Sequence, residues 1–173
     1  MTIIGITGTN GKTTTAYMIY RLCNKLGRKC AYIGTVGFYM ESKICSLPNT
    51  SPDICDLYDL LIKCYDNGYK TVVLEASSQG LAYGRLDTIN FDYAIFTNLT
   101  QDHIGPNEHS SMEDYVYSKS KLFNQCNHGI FNIDDKYFYD MVQGGDASIN
   151  TYGYDLRADL RAVDMKLIRE KGY

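Results

Sequence analysis

The feature that most limits what this chain can fold into is a glycine-rich segment close to its N-terminus. The segment, Gly8-Thr9-Asn10-Gly11-Lys12-Thr13-Thr14, directly follows a short apolar run at residues 3–6. Apolar side chains then recur at helical spacing, at Ala16, Met18, Ile19, Leu22 and Leu26. The pattern predicts a buried strand, a glycine turn and a helix over residues 13–26.

A glycine turn between a strand and a helix suits phosphate binding. Glycines let successive backbone N–H groups point at an anion, and the positive end of the helix adds to the attraction. Lys12 would reach the outer phosphates, and Thr13 would offer a hydroxyl to Mg²⁺. The usual P-loop pattern has a glycine where this chain has Ile6, so a plain glycine turn stays open as the alternative.

Composition narrows the class of protein. The 173 residues are 45% hydrophobic, enough for one domain with a substantial core. A net charge of −3 with both signs interspersed indicates neither nucleic acid nor a membrane surface as a partner. The six cysteines form no C-x-x-C pair, which favours thiols in a reducing, cytoplasmic compartment over a zinc site or a disulfide framework.

Strand and helix patterns alternate along the rest of the chain. Strands are predicted at residues 30–33, 71–74, 91–96, 128–133, 148–152 and 159–166, with a small hairpin near 38–45. Further helices are predicted at residues 54–65 and 112–123. This alternation predicts an α/β fold, a P-loop-type and mostly parallel sheet with helices on both faces.

Three predicted strands end in polar residues. The first runs into the glycine-rich segment, another into Glu75-Ala76-Ser77-Ser78, and a third into residues 97–103. Ligands of parallel sheets bind outside the carboxyl ends of the strands, so we expect the three loops to share one site. Glu75 is well placed there for a magnesium ion. The alternative for Glu75 is a solvated glutamate at a strand end.

Three other residues, Thr50, Ser51 and Lys119, have both a functional and a structural interpretation. Thr50 and Ser51 precede the helix at 54–65, where Ser51 would be a good N-cap with Pro52 at the first helical position. Alternatively, the two hydroxyls face a ligand. In the helix at 112–123, the spacing turns Lys119 toward apolar neighbours, and a buried lysine must lose its charge or find a partner. Spacing alone favours the alternative, a surface lysine.

Taken together, these stretches resemble the central ATPase domain of the Mur ligases, in particular the UDP-N-acetylmuramoyl-tripeptide synthetase type. The likeness runs in order over roughly residues 2–160 and is carried by residues 8–14, 50–53, 75–78, 96–103, 112–123, 132–135 and 151–153. It implies that residues 1–173 are the central ATP-binding domain. The N-terminal UDP-binding domain and the C-terminal amino-acid-binding domain of the family are expected to be absent.

The resemblance implies an ATP-dependent amide ligase of peptidoglycan precursor synthesis. In this reaction ATP phosphorylates a carboxylate of a UDP-N-acetylmuramoyl-peptide, and an amino acid displaces phosphate from the acyl phosphate. The implied cofactors are ATP and Mg²⁺. The implied partners are these small molecules and the missing domains of the same enzyme, without which the chain is expected to be inactive.

The resemblance also implies roles for individual residues. The nucleotide would be held by Gly8, Thr9, Asn10, Gly11, Lys12, Thr13 and Thr14. Thr13 and Glu75 would ligate a first Mg²⁺ and His103 a second, and the implied catalytic residues are Lys12, His103 and Lys119. Lys119 would be carbamylated, which fits a desolvated neutral amine and supplies an anion to a two-metal site. The substrate would be bound by Thr50, Ser51, Ser77 and Arg85.

Departures from the family pattern leave the acceptor open. Gln79 stands where a histidine is common, Tyr83 where a glutamine is often found, and the loop at 104–111 also differs. A related ligase of the folylpolyglutamate or cyanophycin type is one alternative, although the motifs at 50–52 and 77–78 argue against it. A non-catalytic P-loop nucleotide-binding module is the other, although the sequence has no Asn-Lys-x-Asp guanine signature.

Overall fold

The computed structural model describes residues 1–102, 104–105, 108–143 and 147–166. In this part of the chain the strands are β1 (Thr2–Thr7), β2 (Cys30–Gly34), β3 (Gly37–Tyr39), β4 (Lys43–Cys45), β5 (Thr71–Glu75), β6 (Phe91–Phe96), β7 (Cys126–Asn132), β8 (Ser148–Gly153) and β9 (Leu160–Arg161). The helices are α1 (Lys12–Lys25), α2 (Ile54–Asp66), α3 (Ser78–Ala82), α4 (Met112–Asn124) and α5 (Phe138–Val142). None of these helices is long and apolar enough to cross a membrane.

All nine strands belong to one sheet in the order β4-β3-β2-β5-β1-β6-β7-β8-β9. The strands from β2 to β9 in that order pair in parallel, and the hairpin β3–β4 adds an antiparallel edge. Strand β1 lies between β5 and β6, so the carboxyl ends of these three strands are neighbours. This arrangement confirms the predicted α/β fold with its mostly parallel sheet.

Helices cover both faces of the sheet, as predicted. On one face, Ala16 and Tyr20 of α1 pack with Ile6 of β1. The opposite face carries the larger core, in which α2 and α4 pack on apolar side chains of β5, β6 and β7. Successive residues of a strand point to opposite faces, which is why Val73 belongs to the first cluster and Leu74 to the second.

Two local predictions are wrong. Ser51 is not the N-cap of α2, because that helix begins after Asp53, with no side-chain cap, and the Ser51 hydroxyl instead bonds to the end of β5. The last strand was expected over residues 159–166, but β9 spans only Leu160–Arg161. It is short because its partner β8 ends at Gly153, which pairs with Arg161, so residues beyond have no strand to pair with on that side.

Candidate functional site

A cleft of about 480 Å³ opens at the carboxyl ends of β1, β2 and β5. Ten of the residues predicted for the site line it, namely Thr9, Asn10, Gly11, Lys12, Thr13, Thr14, Thr50, Ser77, Arg85 and Lys119. Glu75 and Ser51 lie directly behind this lining and are fully buried. The loops after β1 and β5 therefore share one cleft, although Glu75 and Thr50 are separated by 24 residues of chain that include α2.

The turn between β1 and α1 depends on two glycines with positive φ angles. Gly8 has φ +146° and Gly11, the N-cap of α1, has φ +85°. A Cβ on Gly8 would overlap the Thr97 hydroxyl and lie 2.9 Å from the carbonyl oxygen of Asn98. Glycine is therefore required at position 8 by close approach of the neighbouring loop as well as by backbone conformation.

The loop after β6 holds this turn in place. The Thr9 amide donates to the Asn98 carbonyl at 2.8 Å. The Asn98 side chain accepts from the Asn10 amide and donates to the Asn10 carbonyl, both at 3.0 Å. The Thr97 hydroxyl adds a bond of 2.7 Å to the same carbonyl. No local sequence pattern indicates this role of Thr97 and Asn98, because their contacts span almost 90 residues.

The amino groups of two lysines converge on the same oxygen. Lys12 Nζ donates to the Gly8 carbonyl at 2.9 Å and to the Thr9 carbonyl at 3.0 Å. Lys119 Nζ donates to the Gly8 carbonyl from α4, also at 2.9 Å. Burial lowers the pKa of Lys12, while the charges of Glu75 and Asp102 oppose that shift. The amino groups of Lys12 and Lys119 therefore lie next to each other at the glycine turn.

Lys119 is 1% exposed, so the interpretation as a surface lysine is wrong. Its Nζ lies 4.4 Å from the centre of the Tyr115 ring, and the Tyr115 hydroxyl lies 3.2 Å from the Thr9 hydroxyl. Burial lowers the pKa of Lys119 well below its ordinary value; the nearby Lys12 cation lowers it further, and Asp102 opposes the shift. The neutral amine is therefore strongly favoured relative to an ordinary lysine.

Glu75 at the end of β5 is fully buried, which excludes a solvated glutamate. The Thr13 hydroxyl donates to Oε2 at 2.8 Å, and the Thr35 hydroxyl donates to the same oxygen at 3.2 Å. The other oxygen, Oε1, accepts from the Tyr32 hydroxyl and from the Thr35 amide at 3.1 Å. Burial and the adjacent carboxylate raise the pKa of Tyr32. Tyr32 and Thr35 were not identified from sequence.

The four predicted substrate-binding residues also lie together. The Ser51 hydroxyl donates to the Glu75 carbonyl at 2.9 Å and accepts from the Ser77 amide at 2.9 Å. The Ser77 hydroxyl caps α3 by accepting from the Gly80 amide. Arg85 pairs with Asp53 at 2.8 Å and donates to the Ser51 carbonyl at 3.3 Å. These bonds tie the segment before α2 to the loop after β5.

The side-chain oxygen atoms of Thr13 and Glu75 fit a magnesium ion. Among the described residues, no group of three or more histidine, cysteine and acidic side chains could hold a metal by itself. Magnesium does not require such a group, because it usually takes one or two protein oxygens and completes its shell with phosphate and water. Thr13 and Glu75 offer such a pair of oxygens. The other predicted ligand, His103, lies outside the described residues.

The chain belongs to the Mur ligase middle domain family, whose model matches residues 6–172. It is 39% identical to a UDP-N-acetylmuramoyl-L-alanyl-D-glutamate--2,6-diaminopimelate ligase of Caldanaerobacter subterraneus subsp. tengcongensis, over 96% of this chain and 34% of that protein. It is 37% identical to a UDP-N-acetylmuramoyl-L-alanyl-D-glutamate--L-lysine ligase of Staphylococcus haemolyticus, over 96% of this chain and 35% of the relative. The chain thus spans about a third of the length of these relatives.

Solved structures show the same fold. A UDP-N-acetylmuramoyl-L-alanyl-D-glutamate--2,6-diaminopimelate ligase superposes with a TM-score of 0.83 and 32% identity, over 92% of this chain and 33% of that one. A folylpolyglutamate synthase of Mycobacterium tuberculosis, complexed with ADP and AMPPCP, superposes with a TM-score of 0.68 over 87% of this chain and 42% of its own. At 16% identity the second match is a likeness of fold alone. These findings confirm the resemblance drawn from the sequence motifs.

The burial of Lys119 predicts that Lys119→Met stabilises the isolated chain near neutral pH. Methionine keeps most of the side-chain volume and removes the cost of burying an amine, so we expect a gain of about 1 kcal/mol or more, or about 2–4 °C in Tm. Because the folded state binds the Lys119 ammonium proton less tightly than the unfolded state, the free-energy cost of burying Lys119 falls as pH rises toward the ordinary lysine pKa of 10.5. The advantage of the variant should therefore shrink as pH rises.

Urea unfolding at several pH values measures this difference. Lys25→Met, at an exposed position in the last turn of α1, is the matched control and should show no such pH-dependent gain. A Lys119→Met variant that is less stable than wild type at every pH would contradict the assignment of a costly buried amine.

Proposed function

We propose that this chain is the ATP-binding domain of an amide ligase in peptidoglycan precursor synthesis. The enzyme would activate the carboxylate of a UDP-N-acetylmuramoyl-peptide as an acyl phosphate and join it to an amino acid. One observation carries the proposal: the amino groups of Lys12 and Lys119 meet at the Gly8 carbonyl, in a cleft that Thr13 links to the buried Glu75. The named activities of the relatives support the same reaction class.

The phosphates of ATP would bind at the start of α1. There the backbone amides of residues 8–14 and the positive helix end favour an anion. Lys12 would exchange its bonds to the Gly8 and Thr9 carbonyls for bonds to the β- and γ-phosphates. Thr13 and Glu75 would hold Mg²⁺. When bound, this ion neutralises part of the negative charge of the phosphates. His103 is proposed as the ligand of a second ion.

Lys119 is proposed to be carbamylated in the working enzyme. Its neutral amine would attack carbon dioxide, forming an N–C bond as one C=O π bond of carbon dioxide opens. The nitrogen then loses one proton to solvent, so that the neutral side chain becomes an anionic carbamate. The lowered pKa of Lys119 supports this step, because only the neutral amine carries the required lone pair. The anion would then complement the cations around the phosphates instead of adding to the charge of Lys12.

The acceptor would lie along the wall formed by Thr50, Ser77 and Arg85, with the buried Ser51 behind this wall accepting from the Ser77 amide. Arg85 uses Nε for Asp53 and Nη1 for the Ser51 carbonyl, and its planar guanidinium has further donors for a carboxylate or phosphate. The two relatives differ in the amino acid that their names specify, yet their identity to this chain is nearly equal, 39% and 37%. We infer that other domains of the same cytoplasmic enzyme, N-terminal and C-terminal to this one, bind the UDP group and select the amino acid.

Titration of the isolated chain with Mg-ATP tests the proposed function. Wild type should bind the nucleotide, and Lys12→Ala should weaken binding at least about tenfold, since a charge-assisted contact to phosphate is lost. Lys25→Ala, exposed at the far end of the same helix, should bind like wild type. If the folded wild-type chain fails to bind Mg-nucleotide even at millimolar concentration, the proposal is wrong.

Activity of the full-length enzyme tests the role of Lys119. Lys119→Ala should abolish ligase activity, because the carbamate cannot form. Short carboxylates such as acetate should restore part of the activity by occupying the space that the truncated side chain leaves. Lys25→Ala assayed in parallel should keep full activity with or without the added carboxylate. Full activity of Lys119→Ala would rule out the carbamate.

A panel of substrates in the same assay separates the tripeptide-forming reaction from folylpolyglutamate synthesis.

A further inference from the structure

The carboxylate of Glu75 is held by more donors than a metal ligand at a strand end requires. Thr13 and the Thr35 hydroxyl bond to Oε2, and the Tyr32 hydroxyl and the Thr35 amide bond to Oε1. The two oxygens thus face different parts of the molecule. Oε2 bonds to Thr13 at the start of α1, where the nucleotide would bind, and Oε1 bonds to Tyr32 of β2, while Thr35 bonds to both oxygens.

Sheet register explains why Tyr32 reaches this carboxylate. Strands β2 and β5 are parallel neighbours, with Tyr32 opposite Val73, so that Glu75 lies two residues further along on the same face. The Tyr32 ring is fully buried and packs edge-on against Tyr17 and Tyr39, with centroid distances of 5.7 and 5.8 Å. Its hydroxyl is therefore held at one point, directly beside Oε1.

Gly34 keeps open the space in which the two side chains meet. A Cβ at this position would lie 2.6 Å from the Tyr32 hydroxyl oxygen and 2.8 Å from Glu75 Cδ. Gly34 ends β2 and does not have a positive φ angle, so backbone conformation does not demand glycine there. The requirement for glycine at position 34 therefore comes from the space that the Tyr32 hydroxyl and the Glu75 carboxylate occupy together.

We propose that Tyr32 is a positioning residue for metal binding by Glu75. The terminal torsion of a glutamate side chain has only broad preferences, so an unrestrained carboxylate would rotate and present either oxygen at varied angles. Tyr32 retains Oε1 and leaves Oε2 aimed at Thr13, where the ion would be shared. The proposal rests on the proposed function, because it assigns a role to Tyr32 in binding the Mg²⁺ of Mg-ATP.

The test is the Mg²⁺ dependence of ATP binding to the isolated chain, compared between wild type and Tyr32→Phe. Phenylalanine keeps the ring and removes only the hydroxyl, so loss of one charge-assisted hydrogen bond should raise the Mg²⁺ concentration needed for half-maximal binding by about tenfold. Binding of ATP in the presence of a chelator should stay unchanged, since Tyr32 does not contact the glycine turn.

Tyr20→Phe is the matched control. It removes a hydroxyl from the same tyrosine cluster, where Tyr20 donates to the Met40 carbonyl at 2.7 Å, but it does not touch Glu75. Its Mg²⁺ dependence should match that of wild type. Thr35→Val is a second test, at an exposed position. It should also raise the Mg²⁺ requirement, because it removes another hydrogen bond that orients the Glu75 carboxylate.

The outcomes separate this inference from the proposed function. An unchanged Mg²⁺ requirement in folded Tyr32→Phe overturns the positioning role alone, and so does an unchanged requirement in folded Thr35→Val if Tyr32→Phe does not fold. Equal weakening of ATP binding with and without Mg²⁺ also overturns it, because that result indicates a general loss of structure. A folded wild-type chain that binds no Mg-ATP overturns the proposed function, and the positioning role fails with it.

Discussion

The Gly8 carbonyl oxygen accepts hydrogen bonds from two lysine side chains, and the rest of the site depends on that convergence. Two ammonium groups on one oxygen would repel each other, and the more buried of the two, on Lys119, is the one whose pKa is lowered further. Neutralising Lys119, or converting it to an anion, removes the repulsion while Lys12 keeps its charge for phosphate. A single carbonyl thus links the glycine turn to the helix that carries the second lysine.

The sheet order makes this convergence possible. With β1 between β5 and β6, the turn after β1 contacts the loop after β6 through Asn98 and the end of β5 through Thr13. Gly8 lets the β6 loop approach so closely that a Cβ would collide with it. The parallel topology therefore builds the site, because it brings the Glu75 carboxylate and the glycine turn to the same edge of the sheet.

Sequence alone was sufficient for features that depend on neighbouring residues in the chain. The strand, glycine turn and helix around Lys12 and the buried strand before Glu75 follow local patterns, and the structure has them at the expected places. Ser51 was misassigned because a serine before a helix looks the same whether it caps that helix or bonds 24 residues away. Local rules cannot distinguish these two uses of one hydroxyl.

Features that depend on strand order were not accessible from one sequence. The contact between Tyr32 and Glu75 requires β2 and β5 to be neighbours, although α2 and a hairpin separate them in the chain. The burial of Lys119 likewise depends on α4 packing near the glycine turn, 111 residues away, and helical spacing by itself favoured exposure. The mostly parallel fold was predictable from alternation, but the pairing that builds the site was not.

The glycine turn, Glu75 and Lys119 are proposed to surround one bound metal–nucleotide complex. Addition of Mn²⁺-ATP to the isotope-labelled chain tests this arrangement directly, because the paramagnetic ion broadens NMR signals of nearby amides. We expect selective broadening at residues 8–14, Glu75 and Lys119, while Lys29 and Lys70, at the amino ends of β2 and β5, stay sharp. Broadening that spares Lys119 or Glu75, or that centres elsewhere on the chain, would contradict the account.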